Sequence, residues 1–306
     1  MNVETHLLHM LNKGKKITIF GGDGFIGSQV VKLLSYYDVR INIINSYRLT
    51  HDNSCIYSFP GYISNIKLEN SDEFFNKVMG DSDFVINAID DLNKNTYNII
   101  SKKIAYFSKA HNICKLIHIS AFGVDENHII SKDLISKLQV EKDVLSEYPY
   151  ATIIRPNVVF GTRDKFFNNL IKLAEISCIF PLINNGNTLL QPIYVKDLAK
   201  LVLHVMSSHT DCYTGKILEA GGPNKIKFKE IIDMIYSDLG KKYHVLQLNY
   251  HVAKTLASIF SCYNKFPITA EEVMLSRYNH IISNENAAEL SNEYLMPIKQ
   301  YLKNII

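Results

Sequence analysis

The 306-residue sequence contains no long apolar run and no block of positive charge. No stretch reaches the roughly 18 consecutive apolar residues that a membrane-spanning helix needs, so no span is expected. The 33 Lys and Arg residues against 30 Asp and Glu residues leave a formal charge of +3, spread along the chain. A nucleic-acid backbone is therefore not expected as the main partner.

The sequence also lacks the spacings that mark metal sites and disulfide frameworks. Its five cysteines are scattered, odd in number and without a CxxC pair, and its 11 histidines show no HxxxH or HExxH spacing. We therefore expect no metal ion and no disulfide scaffold, which fits a reducing cytoplasm.

Apolar strands and helices alternate through the first half of the chain. β-Branched runs such as KKITIF, DFVINAI and ATIIRPNVVF (151–160) predict strands, and stretches at helical spacing, such as 71–79 capped by Ser71, lie between them. This alternation predicts parallel βαβ units. Later in the chain, helices are expected at 252–260 and 269–275 among others. The expected fold is α/β, a Rossmann doubly wound parallel sheet over residues 1–160. Residues 161–306 are expected to form a smaller, mainly helical lobe, of which about 188–206 packs back on the Rossmann domain.

A glycine-rich segment, Gly21-Gly22-Asp23-Gly24-Phe25-Ile26-Gly27, follows the first predicted strand and opens a helix. Gly21 allows a sharp turn, Gly24 lets the backbone approach a pyrophosphate, and Gly27 allows close packing of helix on sheet. Free amides at the helix start, including those of Phe25 and Ile26, would face the anion. The segment predicts a dinucleotide site.

The second strand ends in Ile44-Asn45-Ser46, with Arg48 just beyond. NAD-selective folds carry an Asp or Glu here that binds the ribose hydroxyls. Without a carboxylate to repel a 2′-phosphate, Asn45 and Arg48 slightly favour NADP(H) over NAD(H). A solvated loop role for Arg48 remains an equal alternative.

Several stretches resemble an extended (atypical) short-chain dehydrogenase/reductase, of the NAD-dependent epimerase/dehydratase-like kind. Within that superfamily the sequence is most similar to the complex I accessory-subunit family, whose alpha subcomplex member binds NADPH. The resembling stretches are ITIFGGDGFIG, KLIHISAFGVD, ATIIRPNVVFGTRDKFFNNLIKLA, LLQPIYVKDLAKLV, GKILEAGGP and PITAEEVMLSRYN.

The resemblance implies further cofactor contacts at the ends of two later strands. After the fourth strand they are Ala88 and Ile89, followed by Asp90 where the family usually has a glycine. After the sixth strand they are Pro156, Asn157 and Val158, although Pro156 has the equal alternative of only ending the strand. Asp90 either caps the next helix or faces the pyrophosphate, where it would weaken binding.

The resemblance also implies a catalytic Ser and a Tyr-x-x-x-Lys motif. In that motif the Tyr is the acid and base, the Lys lowers the pKa of the Tyr and holds the cofactor ribose, and the Ser holds the substrate oxygen. Ser120 and Lys137 match the serine and the lysine, but Asp133 occupies the tyrosine position. A free Asp has a pKa near 3.9, so holding it protonated at pH 7 costs about 4 kcal/mol. We therefore expect no competent dehydrogenase and assign no catalytic residue beyond these remnants. His118, in an apolar strand, is expected to be a packed, hydrogen-bonded side chain.

These observations favour an NAD(P)(H)-binding, catalytically silent or weakly active protein. The resemblance implies an accessory or assembly role in respiratory complex I or ubiquinone biosynthesis. The alternative is an active NAD(P)-dependent oxidoreductase or epimerase acting on a small carbonyl or a nucleotide-sugar. Since the first residues lack a presequence pattern, we expect a bacterial cytoplasmic location, with peripheral attachment at the inner face of the membrane left open.

Overall fold

The computed structural model describes residues 14–45, 59–90, 94–124, 132–208, 210–253, 255, 278–282, 288 and 294–306. The chain divides into two compact units. The first contains Met1–Pro156, Val195–Ala220 and Asn286–Glu293, and the second contains Asn157–Tyr194, Gly221–Glu285 and Tyr294–Ile306. The sequence predicts a first domain that ends at residue 160 and a later segment, about 188–206, that packs back on it. Within the described ranges, no helix is long and apolar enough to cross a membrane.

The first unit is a parallel sheet flanked by helices. Its strands are β1 (Lys16–Phe20), β2 (Arg40–Asn45), β3 (Tyr62–Lys67), β4 (Phe84–Asn87), β5 (Lys115–Ile119), β6 (Thr152–Pro156) and β11 (Ile217–Ala220). Its helices are α1 (Phe25–Leu34), α2 (Asp72–Met79), α3 (Lys94–Ala110), α4 (Lys132–Glu147), α6 (Val195–Ser207) and α7 (Thr210–Tyr213). This is the α/β Rossmann-like sheet that the sequence predicts.

The strand order of the sheet places a switch point beside β1. The seven strands run β11-β6-β5-β4-β1-β2-β3, and each neighbouring pair is parallel. The chain moves from β1 outward through β2 and β3 and then crosses to β4 on the other side. In doubly wound sheets the crevice at such a reversal, outside the carboxyl ends of the strands, is where ligands bind.

Stacked aromatic rings fill the core beneath one face of this sheet. The fully buried Phe75 of α2 stacks on Phe20 of β1 at 5.8 Å and on Phe107 of α3 at 5.4 Å between ring centroids. Ser71 caps α2 by accepting a hydrogen bond from the Phe74 amide at 3.3 Å, as the sequence predicts. These contacts fix α2 and α3 against the strands that carry the site.

The second unit consists of short strand pairs and helices around its own core. Its strands are β7 (Val159–Phe160), β8 (Ile179–Ile183), β9 (Leu189–Leu190), β10 (Ile193–Tyr194), β12 (Ile226–Lys227) and β13 (His244–Leu248). Its helices are α5 (Phe166–Ile176), α8 (Phe228–Asp238) and α9 (Ile298–Ile305), and β7, β9 and β8 pair with β10, β12 and β13 respectively. Buried Phe160, Phe167, Phe180 and Tyr236 lie in its core.

Three details differ from the sequence prediction. The run 151–160 is not one strand, because β6 ends at Pro156 and the Asn157 side chain turns back to accept from the Val158 amide at 2.8 Å. The sequence missed β11, whose four residues pair with β6 at the sheet edge. It also missed the strands of the second unit after residue 161, which are β8, β9, β10, β12 and β13; in β13, Val245 and Leu246 are exposed. The helix predicted at 269–275 and most of that at 252–260 lie outside the described residues.

Candidate functional site

Most of the site residues predicted from the sequence lie at the carboxyl ends of the strands of the large sheet. The glycine loop follows β1, Asn45 ends β2, Ala88 and Ile89 follow β4, Ser120 follows β5, and Pro156 ends β6. Since the strands are parallel, all five positions are at carboxyl ends. The fold thereby brings together residues that are far apart in the sequence.

The glycine loop is packed too closely for side chains at two positions. Gly21 has a φ of +75°, and a Cβ there would lie 2.7 Å from the Ala88 carbonyl oxygen. A Cβ on Gly27 would lie 2.2 Å from the Gly21 carbonyl oxygen. The turn holds itself together through a 3.0 Å hydrogen bond from the Gly24 amide to that same carbonyl. Glycine is therefore required at 21 and 27 for α1 to approach β1.

Helix α1 begins directly after this turn and presents its amino end to the sheet edge. Gly24 is its N-cap, with extended backbone, and no side-chain hydrogen bond caps the helix in the part of the chain described. The first-turn amides, those of Phe25 and Ile26, are thus available to an anion, and the helix dipole adds positive potential there. No acidic residue lies in this first turn.

Asn45 carries a buried acceptor that no described residue satisfies. Its side chain is 6% exposed, and its Oδ1 atom has no hydrogen-bond partner among the described residues. A buried polar atom of this kind costs about 1–3 kcal/mol unless something else satisfies it. Arg48, the other residue predicted to contact the ribose, lies outside the described residues.

Lys137 is paired with the unexpected acid of the β4 loop. Its Nζ donates to Oδ1 of Asp90 at 2.6 Å, and the side chains of Lys137 and Asp90 are 18% and 80% exposed. The same Nζ lies 5.5 Å from the centroid of the Tyr97 ring. Asp90 therefore faces the predicted ribose-binding lysine, an arrangement that neither alternative drawn from the sequence included.

Ser120 is paired with a second acid. Its hydroxyl donates to Glu141 of α4, whose side chain is 2% exposed. Arg155 of β6 donates to the same carboxylate. Its Nε lies 3.0 and 3.2 Å from the two oxygens, and its Nη2 lies 2.5 Å from Oε2. A buried carboxylate needs such partners to remain charged. The hydroxyl that would hold a substrate oxygen is thus engaged inside the protein.

Asp133 lies on α4, one helical turn before Lys137, the position from which a catalytic tyrosine would reach the site. The two tyrosines that follow α4 do not replace it. The hydroxyl of Tyr148 donates to the Ile113 carbonyl at 2.7 Å, and Tyr150 is 66% exposed.

Tyr97 and His118 form a buried polar network. The Asn87 amide lies 3.0 Å from His118 Nδ1, and the Tyr97 hydroxyl lies 3.4 Å from His118 Nε2. Burial lowers the pKa of His118 to about 3, and burial raises the pKa of Tyr97 to about 12. Both groups are neutral near pH 7 and face one another, so this network is a packed core feature.

Pro156, Asn157 and Val158 use their polar atoms within the protein. The Pro156 carbonyl accepts from the Phe122 amide at 2.9 Å. In the second unit, Asn157 Nδ2 donates to the His280 carbonyl at 2.9 Å, and the Val158 carbonyl accepts from the Ile193 amide at 2.9 Å. Cofactor contact by these three residues stays a prediction.

Comparison with known proteins gives distant relatives along most of the chain. No protein-family model matches it. The chain is 28% identical over 257 residues to the mitochondrial NADH dehydrogenase (ubiquinone) 1 alpha subcomplex subunit 9 of Arabidopsis thaliana, covering 79% of this chain and 62% of that protein. The Mus musculus subunit of the same name is 28% identical over 235 residues, covering 73% and 61%. The chain thus spans about three fifths of these relatives' length and is a distant homologue of this subunit.

Solved structures agree with the predicted fold. The dTDP-glucose 4,6-dehydratase of Bacillus anthracis, in complex with NAD, superposes with a TM-score of 0.71 at 18% identity, covering 95% of this chain and 94% of that one. The triphenylmethane reductase of Citrobacter sp., complexed with NADP(H), gives 0.74 at 14% identity, covering 95% and 100%. The fold is that of extended short-chain dehydrogenases and epimerases, as the sequence resemblance implies.

The burial of His118 predicts an acid-sensitive fold. Because the folded pKa is about 3 against an ordinary 6.5, unfolded chains bind a proton between these values that folded chains do not. Stability is therefore lost as pH falls below about 6.5, by up to about 1.4 kcal/mol per pH unit. His118→Gln keeps a hydrogen-bonding side chain but removes this titration.

Urea unfolding of both proteins between pH 7.5 and 5 measures the effect. The advantage in unfolding free energy of the wild type over His118→Gln should shrink steadily towards pH 5. Parallel pH profiles would show that His118 is not held neutral.

Proposed function

We propose that this chain is an NAD(P)(H)-binding protein with no competent hydride-transfer chemistry, acting as an accessory or assembly factor of respiratory complex I or of ubiquinone biosynthesis. The observation that carries the binding part is the tight Gly21–Gly27 turn in front of an uncapped helix at the switch point of the sheet. A phosphate or pyrophosphate is the ligand that such a turn accommodates best.

The residues present fit a dinucleotide at one further point, Asn45. Among the described residues its Oδ1 has no partner, and it offers an acceptor for the ribose 3′-hydroxyl, which NAD(H) and NADP(H) both carry. Being neutral, Asn45 does not repel a 2′-phosphate, which supports a slight preference for NADP(H) over NAD(H). A bound nicotinamide would carry the hydride in an active enzyme of this fold, whereas the part proposed for this chain is to bind the pyrophosphate and the ribose.

Catalytic silence is supported by more than the missing tyrosine. A substrate carbonyl that receives a hydride needs a proton donor, and position 133 holds an Asp in place of the tyrosine. A free Asp carboxyl has a pKa near 3.9 and is a poor donor at neutral pH. The Ser120 hydroxyl is donated to Glu141, and the Lys137 ammonium is paired with Asp90. Each of the three groups that the reaction requires is therefore replaced or already engaged.

The accessory role rests on the homology to the alpha subcomplex subunit. These relatives are named as parts of a larger NADH dehydrogenase, and the similarity covers 79% of this chain for the Arabidopsis protein. A bound nucleotide at a hundred times its Kd would add about 2.7 kcal/mol to stability. This added stability is large enough for the nucleotide to have a structural role in such an assembly.

Dinucleotide binding is tested by introducing a negative charge into the glycine loop. Gly24→Glu sets a carboxylate beside the first-turn amides and should weaken NADPH binding more than about tenfold through repulsion of the pyrophosphate. Gly24→Ala adds a side chain without a charge and separates the steric effect from the electrostatic one. Gly24 has a φ of −69° and the added Cβ would meet only the Gly21 carbonyl oxygen, at 3.1 Å, so this variant should bind more weakly than the wild type but more tightly than Gly24→Glu.

Isothermal titration and thermal shift with NADPH and NADH, together with mass spectrometry of any co-purified nucleotide, give the readouts. Wild type and Gly24→Ala should bind, with NADPH slightly the tighter ligand. Absence of binding to the wild type by every method contradicts the proposal, and tighter NADH binding contradicts only the preference.

The absence of catalysis is tested by measuring NADPH oxidation. Wild-type protein with NADPH and a panel of quinones, small carbonyls and nucleotide-sugars should oxidise no NADPH above the rate of a protein-free blank. Steady turnover that Lys137→Ala abolishes would establish the alternative, an active oxidoreductase or epimerase using an acid other than a tyrosine at 133.

The accessory role predicts migration in a large complex. In membranes of the source organism solubilised with mild detergent, native electrophoresis should find the chain with NADH dehydrogenase subunits or quinone-biosynthesis enzymes identified by mass spectrometry. Migration only near its own 35.0 kDa would contradict the role. If Gly24→Glu abolishes co-migration, partner capture depends on the nucleotide and is not that of a constitutive subunit.

A further inference from the structure

The lysine that would hold the cofactor ribose is already occupied by an acid of this chain. The Asp90 carboxylate lies 2.6 Å from Lys137 Nζ. The two residues come from different parts of the fold, the loop after β4 and the middle of α4, and are 47 positions apart in the sequence. Their pairing is therefore set by the tertiary structure, not by neighbouring positions on one helix.

The burial of the pair shows which partner faces the solvent. The Lys137 side chain is only 18% exposed, whereas that of Asp90 is 80% exposed. The aromatic ring of Tyr97 lies 5.5 Å from the same ammonium, and Tyr97 itself is buried. The ammonium thus lies between a buried ring and a carboxylate on the solvent side, from which a ligand must come.

Asp90 follows a backbone segment that packs against the glycine loop. The Ala88 carbonyl, two residues before it, is the atom that a Cβ on Gly21 would meet at 2.7 Å. A glycine at position 90, the residue usual in the resembling family, has no side chain with which to engage Lys137. The carboxylate adds a negative charge to the segment whose backbone packs against the glycine loop.

From this geometry we infer that Asp90 is an intramolecular competitor for Lys137, so that a dinucleotide binds only by displacing the Asp90 carboxylate from the ammonium. This inference rests on the proposed dinucleotide binding and concerns the regulation of that site. Affinity is then set by the strength of the Asp90–Lys137 ion pair as well as by the contacts that the ligand makes.

The expected size of the effect follows from the exposure of the pair. An ion pair with one largely exposed partner has a modest strength, so removing the charge of Asp90 should tighten NADPH binding by about two- to fivefold. Asp90→Asn retains size and shape while removing the charge. The gain should depend on Lys137, since the competition is for its ammonium.

A double-mutant cycle tests this dependence. NADPH is titrated calorimetrically into the full chain as wild type, Asp90→Asn, Lys137→Met and the double variant, with circular dichroism to confirm folding. We expect tighter binding from Asp90→Asn in the wild-type background and no gain in the Lys137→Met background.

Asp72→Asn is the matched control. Asp72 is also mostly exposed, at 72%, and pairs with Lys103 at 2.8 Å in the same unit, but it lies at the start of α2 and not at the sheet edge. It should leave NADPH affinity unchanged.

The outcomes separate the inference from the proposed function. If the wild type binds NADPH but Asp90→Asn binds equally or more weakly, competition is wrong and Asp90 instead positions Lys137 or has no role. If the gain persists in Lys137→Met, Asp90 acts by repelling the phosphates and the inference is overturned. If no variant binds a dinucleotide, the proposed function fails and the inference fails with it.

Discussion

The close approach of α1 to the end of β1 determines where the site lies in the first unit. A Cβ on Gly27 would come within 2.2 Å of the Gly21 carbonyl oxygen, so this approach exists only because both positions are glycine. This approach directs the amino end of α1 towards the carboxyl ends of β1 and β4. Among the described residues, no side chain caps the first-turn amides there. Asn45 at the end of β2 and Ala88 after β4 lie beside this point, because both strands pair with β1.

The buried acid beside Ser120 follows a second constraint. A carboxylate that is 2% exposed stays charged only with strong partners, and Glu141 has the guanidinium of Arg155 and the hydroxyl of Ser120. Withdrawing either partner leaves a buried charge less well satisfied, which is costly. A substrate oxygen would have to offer more than this carboxylate to draw the Ser120 proton away. The serine is therefore held in a structural role by electrostatics and not by distance alone.

The sequence predicts well what is local and poorly what depends on pairing between elements. The glycine spacing, the Ser71 cap and the alternation of strands and helices lie within a few residues, and each agrees with the structure. The pairs Asp90 with Lys137, Ser120 with Glu141 and Tyr97 with His118 join different elements, and no spacing in one sequence gives their register. Strand β11 was missed because four residues at a sheet edge carry too little pattern.

Binding and hydride chemistry place different demands on such a fold. The anion binding proposed at α1 would use backbone amides, whose direction is fixed by the packing of Gly21 and Gly27. Hydride chemistry uses a few side chains whose charge and proton must both be correct, and a single carboxylate beside each is enough to change them. In this chain, carboxylates stand at or beside all three positions: Asp133, Glu141 and Asp90. The same substitutions leave the glycine turn intact, so loss of the chemistry need not entail loss of the nucleotide.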